Sequence, residues 1–236
     1  ATPVVDKDEQ LFTGTLTVAV IIPEGATLRY TTDGSTPSLS NGKTSTTGTF
    51  SVTETTPYRF RLFKDGMLPS QVVTRTYILN DKEFTLPIIS VNGSSADLFG
   101  DDHGVFTQGN GNGRPGACDY SDRNTKKNWN MDWDRPVNFE YIGNEGDGGE
   151  YRMLFNQEVD LSRCGGWSRA WTPYSCKLKA EKYYYGANTM NYAFFPNKPY
   201  IKNKTLQIRN GGNDNNCRIK DASLQEIISR SGLYVD

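Results

Sequence analysis

Histidine is nearly absent from this chain of 236 residues, and cysteine is sparse. His103 is the single histidine, and the four cysteines include no Cys-x-x-Cys pair. Zinc sites are usually built from closely spaced cysteine and histidine ligands, and no serine or cysteine pattern around His103 indicates a catalytic triad. We therefore predict that the chain holds no metal site and that His103 is a loop residue.

The chain also lacks an excess of charge of either sign and a long apolar run. Its 26 basic and 27 acidic side chains give a net charge of −1, which provides little long-range attraction for a nucleic-acid backbone or an acidic membrane. The longest aliphatic run, residues 18–22, is far shorter than the about 20 residues that a membrane-spanning helix needs. We predict no nucleic-acid partner and no membrane span, while the oligomeric state stays open.

The composition indicates an extracytoplasmic protein, secreted or on the cell surface. Tyrosine, threonine, asparagine and glycine are abundant, and helix-forming runs are scarce. The first residues have neither a basic start nor an apolar signal core, so we expect any export signal to have been removed or to lie outside this sequence.

An even number of cysteines in a β-rich exported chain favours one or two disulfides. Cys164 and Cys176 are candidates for a pair across a hairpin, and four reduced thiols are the alternative. All the cysteines fall in the second half of the chain: Cys118, Cys164, Cys176 and Cys217.

Alternation of apolar and polar residues dominates the first third of the chain. Leu16, Val18 and Val20 form one such run, and further runs of the same period are separated by turn residues at short intervals. This pattern is typical of a small antiparallel β-sandwich. The fold class that we predict for the whole chain is mainly β with minor α.

A turn motif at residues 25–37 reads Gly-Ala-Thr-Leu-Arg-Tyr-Thr-Thr-Asp-Gly-Ser-Thr-Pro. It resembles the Tyr-Thr-x-Asp-Gly-(Ser/Thr)-x-Pro signature of the chitobiase C-terminal type of Ig-like domain, over about residues 10–79. Asp33 can fold back onto turn amides, Gly34 supplies a positive φ, and Pro37 stops the strand ladder. The resemblance implies a spacer beside another module; a loop that binds a glycan or Ca²⁺ is the alternative.

Four polar residues, Asn80 to Glu83, separate this part from a second β-rich part. We therefore predict two domains, at residues 1–80 and 86–236. The second begins with a strand at residues 86–91, contains a glycine-rich loop at residues 109–116, and ends in a helix with an apolar stripe. Its remaining features are strands at residues 136–141 and 205–209, stripe residues Leu224, Ile227 and Ile228, a cap at Asn215 or Asn216, and a stop at Gly232.

Three unusual clusters follow one another in the second part. They are Asn128-Trp129-x-x-Asp132-Trp133-Asp134-Arg135-Pro136, Cys164-Gly165-Gly166-x-Ser168-Arg169 and Leu206-x-Ile208-Arg209-Asn210-Gly211-Gly212-Asn213-Asp214. Together they resemble the CotH family of spore-coat-type atypical protein kinases, over about residues 86–236. The resemblance implies the β-rich front half of a kinase-like fold. The family's catalytic carboxylates lie beyond the matching region, so we expect a fragment of a larger protein that is not catalytic by itself.

The resemblance also identifies candidate anion contacts. Tyr174 stands where the family has a lysine and Cys164 where it has a histidine, so a phosphate contact is either lost or moved to a neighbouring cation. The strand-to-helix turn with its glycines is a further anion-site candidate, and a strained turn that needs glycine is the alternative. The nucleotide or anion candidates are Arg169, Lys177, Lys179, Arg209, Asn210, Gly211, Gly212 and Asn213.

Lys177 and Lys179 alternate along a strand, so a solvated charged face is the alternative for both.

Asp132 and Asp134 invite a metal interpretation, but we predict a structural cluster with Trp133 as a wedge, Arg135 paired to a carboxylate and the next strand starting at Pro136. We expect no cofactor for this chain; ATP and Mg²⁺ belong to a full-length active CotH-like kinase.

An aromatic patch supplies candidates for contact with a sugar or a protein. Half-buried strand residues are the alternative. The patch consists of Trp167, Trp171, Tyr183, Tyr184 and Tyr185. Two functions therefore stay open: a non-catalytic piece of a CotH-like surface protein, or a non-catalytic extracellular binding or adhesion module that recognises a glycan or a partner protein. Whether the full-length protein is an enzyme stays open as well.

Overall fold

The computed structural model describes residues 1–7, 10–116, 124–144, 149–182, 187–195, 198, 200–212, 214 and 216–233. The chain is mainly β with few helices, as predicted. Two compact units are present. Unit 1 comprises residues 1–97, 136–160 and 180–204, and unit 2 comprises residues 98–135, 161–179 and 205–236.

The predicted sandwich is confirmed at the start of unit 1. One sheet has the strand order β1-β3-β6 and the other has the order β2-β8-β7-β4-β5, with β2 parallel to β8 and the other pairs antiparallel. The strands are β1 (Val4–Val5), β2 (Leu11–Phe12), β3 (Leu16–Ile21), β4 (Thr27–Thr31), β5 (Lys43–Ser45), β6 (Thr49–Val52), β7 (Thr56–Phe63) and β8 (Val73–Leu79).

The alternating residues of these strands build the core of the sandwich. Val18, Leu28 and Phe60 are fully buried, and Phe50 and Tyr58 pack against Phe60 with ring centroids 5.2 and 5.5 Å away. Burying each large apolar side chain contributes about 1.5 to 3 kcal/mol. The period of two in the sequence thus places one side of each strand inside.

The turn motif is structural in the way that its residues predict. The Asp33 carboxylate accepts hydrogen bonds from the Ser35 amide at 3.0 Å and from the Ser35 hydroxyl at 2.6 Å. The hydroxyl contact is the main reason why the pKa of Asp33 is lowered. Gly34 has φ +78°, and a Cβ there would lie 2.3 Å from the carbonyl oxygen of Gly93. Only glycine fits this close approach.

Unit 1 also contains strands from the second part of the sequence. β10 pairs with β9 in antiparallel register, with Tyr141 opposite Ile89, and β11 lies next to β10. The elements that lie wholly or mostly in unit 1 are β9 (Ile88–Asn92), helix α1 (Ser95–Phe99), β10 (Asp134–Gly143), β11 (Arg152–Arg163), β13 (Met190–Asn191) and β14 (Lys202–Asn203). β10 begins two residues before Pro136, so the prediction that Pro136 starts the strand is wrong. The folding of residues 1–80 as a separate domain stays a prediction.

A buried carboxylate joins the sandwich to β9, β10 and β11 within unit 1. Glu140 is completely buried. Its oxygens accept hydrogen bonds from the side chains of Gln10 at 2.9 Å, Asn92 at 3.2 Å and Asn156 at 3.3 Å, and from the amide and hydroxyl of Thr76. Removing the acceptor would leave these donors buried without it.

Unit 2 holds the end of β11, together with β12 (Cys176–Ala180), β15 (Thr205–Ile208) and helix α2 (Lys220–Arg230). Two short 3₁₀ helices lie at Asn128–Asn130 and Trp167–Ala170. β12 pairs with β15 in antiparallel register, with Lys177 opposite Gln207. The glycine-rich segment at residues 109–116 is a loop, as predicted.

The predicted last helix is confirmed, but its start is not where the sequence indicated. α2 begins at Lys220, whose amide donates to the carboxylate of Asp214 at 2.8 Å, so Asn216 is not the cap. Asn215 lies outside the described residues. Gly232 follows the helix with φ +80°, and the stripe residues Leu224, Ile227 and Ile228 are exposed. Among the described residues, no helix is long and apolar enough to cross a membrane.

Burial raises the pKa of Glu140, and the direction of this shift determines how the free energy of unfolding changes with pH. The folded state binds the proton more tightly than the unfolded state, so this group's contribution to stability is greatest below the unfolded pKa. That contribution is lost as the pH rises through the folded pKa. We expect the free energy of unfolding to fall as the pH rises through this window, and Glu140→Gln to flatten the slope in urea unfolding.

Glu140→Ala should lower the free energy of unfolding by about 3 kcal/mol at neutral pH, because several buried donors lose their acceptor. Glu54→Ala is the matched control, since Glu54 is exposed, and it should change little. Equal stability of Glu140→Ala and the control would contradict a role for Glu140 in joining the strands.

Candidate functional site

The second and third sequence clusters meet at one pocket in unit 2. This pocket, here named the arginine–glycine pocket, has a volume of about 440 Å³. A cavity of this size is within the range of small-ligand sites. Its described lining residues are Gly165, Gly166, Trp167, Ser168, Ser175, Gln207, Arg209, Asn210 and Gly212.

The loop between β11 and β12 forms one wall of the pocket, and Arg163 holds it in place. The guanidinium of Arg163 donates to the carbonyl oxygen of Ser175 at 3.0 Å and to that of Arg169. It lies 4.5 Å from the ring centroid of Tyr174 and 5.2 Å from that of Phe106. Arg163 therefore holds the middle and the end of the loop through backbone and aromatic contacts.

Arg163 is also a buried charge, since it is only 3% exposed. Burial lowers its pKa to about 10, so it is still protonated at neutral pH. Among the described residues no carboxylate forms an ion pair with it, and its Nε has no hydrogen-bond partner. Its positive charge is therefore not cancelled locally by the described residues, and it acts on the pocket from behind the carbonyl of Ser175.

Asn210 connects the two walls of the pocket. It is nearly buried, and its side-chain amide donates to the carbonyl oxygen of Ser168 at 3.2 Å while its side-chain oxygen accepts from the amide of Gly212 at 2.8 Å. Its own backbone amide donates to the hydroxyl of Ser175 at 3.0 Å. Asn210 thus shapes the site by holding both walls.

The glycines of the third cluster meet a steric requirement. Gly211 has φ +72°, and a Cβ there would lie 2.8 Å from the Cα of Arg218. Gly212 has φ +25° and faces the side chain of Ser168. Gly211 itself lines a neighbouring pocket of about 360 Å³ together with Asp214 and Arg218. The geometry at Gly211 agrees with the alternative of a turn that needs glycine, and an anion site at this turn stays a prediction.

The exposed cations near the pocket are partly matched by acids. Arg209 donates to the carboxylate of Asp221 at 2.6 Å. Arg169 lies 3.6 Å from the carboxylate of Asp132 and donates to the carbonyl oxygens of Gly165 and Trp129. Arg169 therefore joins the first sequence cluster to the second.

The other predicted cations lie beside the pocket. Lys177 and Lys179 share a strand face with Gln207 and Thr205, and neither is among the described lining residues. Of the predicted anion contacts, Arg209, Asn210 and Gly212 line the pocket. Asn213 lies outside the described residues. No sequence signal marked Gln207, because its place follows from the pairing of β12 with β15.

Of the predicted aromatic patch, Trp167 lines the pocket and is 44% exposed. Trp171 is half-buried. Tyr183, Tyr184 and Tyr185 lie outside the described residues, so their role as surface contacts stays a prediction.

The first cluster is held by ion pairs and ring contacts. Asp132 accepts from Arg114 at 2.6 Å, and this contact is the main cause of its lowered pKa. Trp133 is half-buried between the His103 ring and the Arg135 guanidinium, with centroid distances of 5.4 and 5.0 Å. No group of three metal-ligating side chains occurs within the described ranges.

The cysteines described by the structure are free thiols: Cys164, Cys176 and Cys217. The candidate hairpin pair, Cys164 and Cys176, is therefore not joined by a disulfide in this structure. The broader prediction of a disulfide has no support among these three, and Cys118 lies outside the described residues.

Comparison with known proteins identifies the first part of the chain. Residues 9–74 match the family model of the Chitobiase/beta-hexosaminidase C-terminal domain, which confirms the resemblance read from the turn motif. The match covers less than half of the chain and ends before the arginine–glycine pocket. No curated protein and no solved structure matches the chain, so the resemblance of residues 86–236 to the CotH family has no support from these comparisons.

Asn210→Ala should lower the free energy of unfolding by about 2 kcal/mol, because it removes two hydrogen bonds and leaves the Gly212 amide without its acceptor. Urea unfolding measures the effect. Asn216→Ala is the control, since Asn216 is exposed in the turn before α2. An equally small effect for both variants would show that Asn210 does not hold the pocket.

Proposed function

We propose that this chain is a non-catalytic binding module and that the arginine–glycine pocket receives an anionic group of its ligand. The observation that carries the proposal is the charge of this site. Arg209 lines the pocket, and the buried guanidinium of Arg163 lies behind its wall without a carboxylate partner among the described residues. Buried or partly buried charge is weakly screened, so its attraction for an anion survives in salt.

The polar groups of the pocket suit binding. The hydroxyls of Ser168 and Ser175 and the side-chain amide of Gln207 line it beside Arg209, and these groups donate hydrogen bonds to an anion or a hydroxyl. Asn210 holds the walls before a ligand arrives. A site that is formed in advance loses less entropy on binding.

The same lining offers few side chains that could transfer a proton in a catalytic reaction. None of its described residues carries a carboxylate, an imidazole or a thiol that could act as a general base for the hydroxyl of Ser168 or Ser175. This supports a binding role. The Ig-like module at residues 9–74 is consistent with such a role, and the composition supports a location outside the cytoplasm.

A second candidate function is nucleotide binding inherited from a CotH-like kinase. The observation that favours it is that the second and third clusters, which both contain anion-contact candidates, line one pocket. We regard this site as having kept an anion contact without catalysis. ATP with Mg²⁺ is therefore expected to bind no tighter than methyl phosphate.

Saturation-transfer NMR with acetate and methyl phosphate tests the proposed function. We expect transfer to both anions, and loss of transfer in Arg209→Gln, because the variant removes the exposed charge at the pocket. Asp221→Asn should strengthen binding, since it frees Arg209 from its ion pair. Each change is expected to be about threefold or more, as for a partly exposed charge.

Arg230→Gln is the matched control, because Arg230 is exposed on α2 and pairs with Glu226. It should leave transfer unchanged. Anion binding that is identical in Arg209→Gln and the control would overturn the proposed site. ATP binding in the low micromolar range would favour the nucleotide function instead.

A further inference from the structure

We infer that the ligand of the arginine–glycine pocket is a glycan residue that carries a single carboxylate, such as a uronic acid. This inference rests on the proposed function and adds the ligand class. Three features of the described pocket support it: an exposed indole, hydrogen-bonding groups suited to hydroxyls, and a small surplus of positive charge.

The indole of Trp167 supplies an apolar face at the pocket. It is 44% exposed and belongs to the same lining as Arg209 and Gln207. The face of a sugar ring presents C–H groups that pack on such an indole, while the ring hydroxyls point sideways. A simple inorganic anion would make no use of this face.

The polar groups match a polyhydroxylated ligand. Ser168, Ser175 and Gln207 each offer a group that both donates and accepts hydrogen bonds. Hydroxyl groups of sugars also do both. Gly166 adds space, because a Cβ there would meet no atom within 4 Å. The volume of about 440 Å³ leaves room for a sugar ring beside Arg209.

The charge around the pocket suits one negative group. Arg209 is already 2.6 Å from Asp221, and Arg169 is 3.6 Å from Asp132. Arg163, behind the wall, forms no ion pair with a carboxylate among the described residues. A polyphosphate would bring several negative charges and would usually need further cations or Mg²⁺. A carboxylate brings one charge and can bind a guanidinium through both oxygens.

Isothermal titration calorimetry with methyl β-glucuronide, methyl β-glucoside and acetate tests the inference. We expect the glucuronide to bind about tenfold tighter than either of the other two, because it alone engages both Trp167 and Arg209. Trp167→Ala should weaken glucuronide binding about fivefold to tenfold and weaken acetate binding much less. Arg209→Gln should weaken both.

Tyr200→Ala is the matched control, because Tyr200 is also 44% exposed but lies in unit 1. It should leave all three ligands unchanged. The inference is overturned if the glucuronide binds no tighter than acetate or no tighter than the glucoside. It is also overturned if Trp167→Ala leaves the affinity for the glucuronide unchanged. In those cases acetate binding that depends on Arg209 would leave the proposed function standing. An acetate affinity that is the same in Arg209→Gln as in the unaltered protein would overturn the proposed function itself.

Discussion

The wall of the pocket depends on one buried guanidinium. Arg163 donates to the carbonyl oxygens of Ser175 and Arg169 and packs against two aromatic rings. These contacts engage both terminal nitrogens of the guanidinium without cancelling its charge, so the group that shapes the loop also makes the site positive. Burying an uncompensated charge is costly, and a ligand anion would recover part of that cost. In the function that we propose, structure and binding are coupled through the same side chain.

In unit 1, polar side chains fill part of the interior and need hydrogen-bond partners there. Glu140 and its donors, and the ion pair between Arg59 and Glu158 at 2.8 Å, are buried between elements that are distant in sequence. Such groups are tolerated only when they are hydrogen-bonded. They specify how the strands meet more strictly than apolar packing alone would, since a shifted strand would leave donors without acceptors.

Local patterns predicted local structure well. The alternation through Val18 and Val20 fixes which side of a strand is buried, and the Asp33 turn depends on neighbouring residues. The contact of Gln10 with Glu140 spans 130 positions, and nothing local signals it. At the pocket, the glycines and Arg209 were visible in the sequence. Gln207 was not, because its place depends on strand register, and Arg163 stands one residue before the second cluster without belonging to it.

The central claim is that the arginine–glycine pocket is the binding site for an anionic ligand. Mapping of backbone amide chemical shifts during titration with methyl β-glucuronide tests it most directly. The account predicts that the largest shifts fall on the amides of Gly165, Gly166, Ser168 and Gly212, which line the pocket. Shifts concentrated in residues 9–74, or no shifts at ligand concentrations that saturate the calorimetric signal, would contradict it.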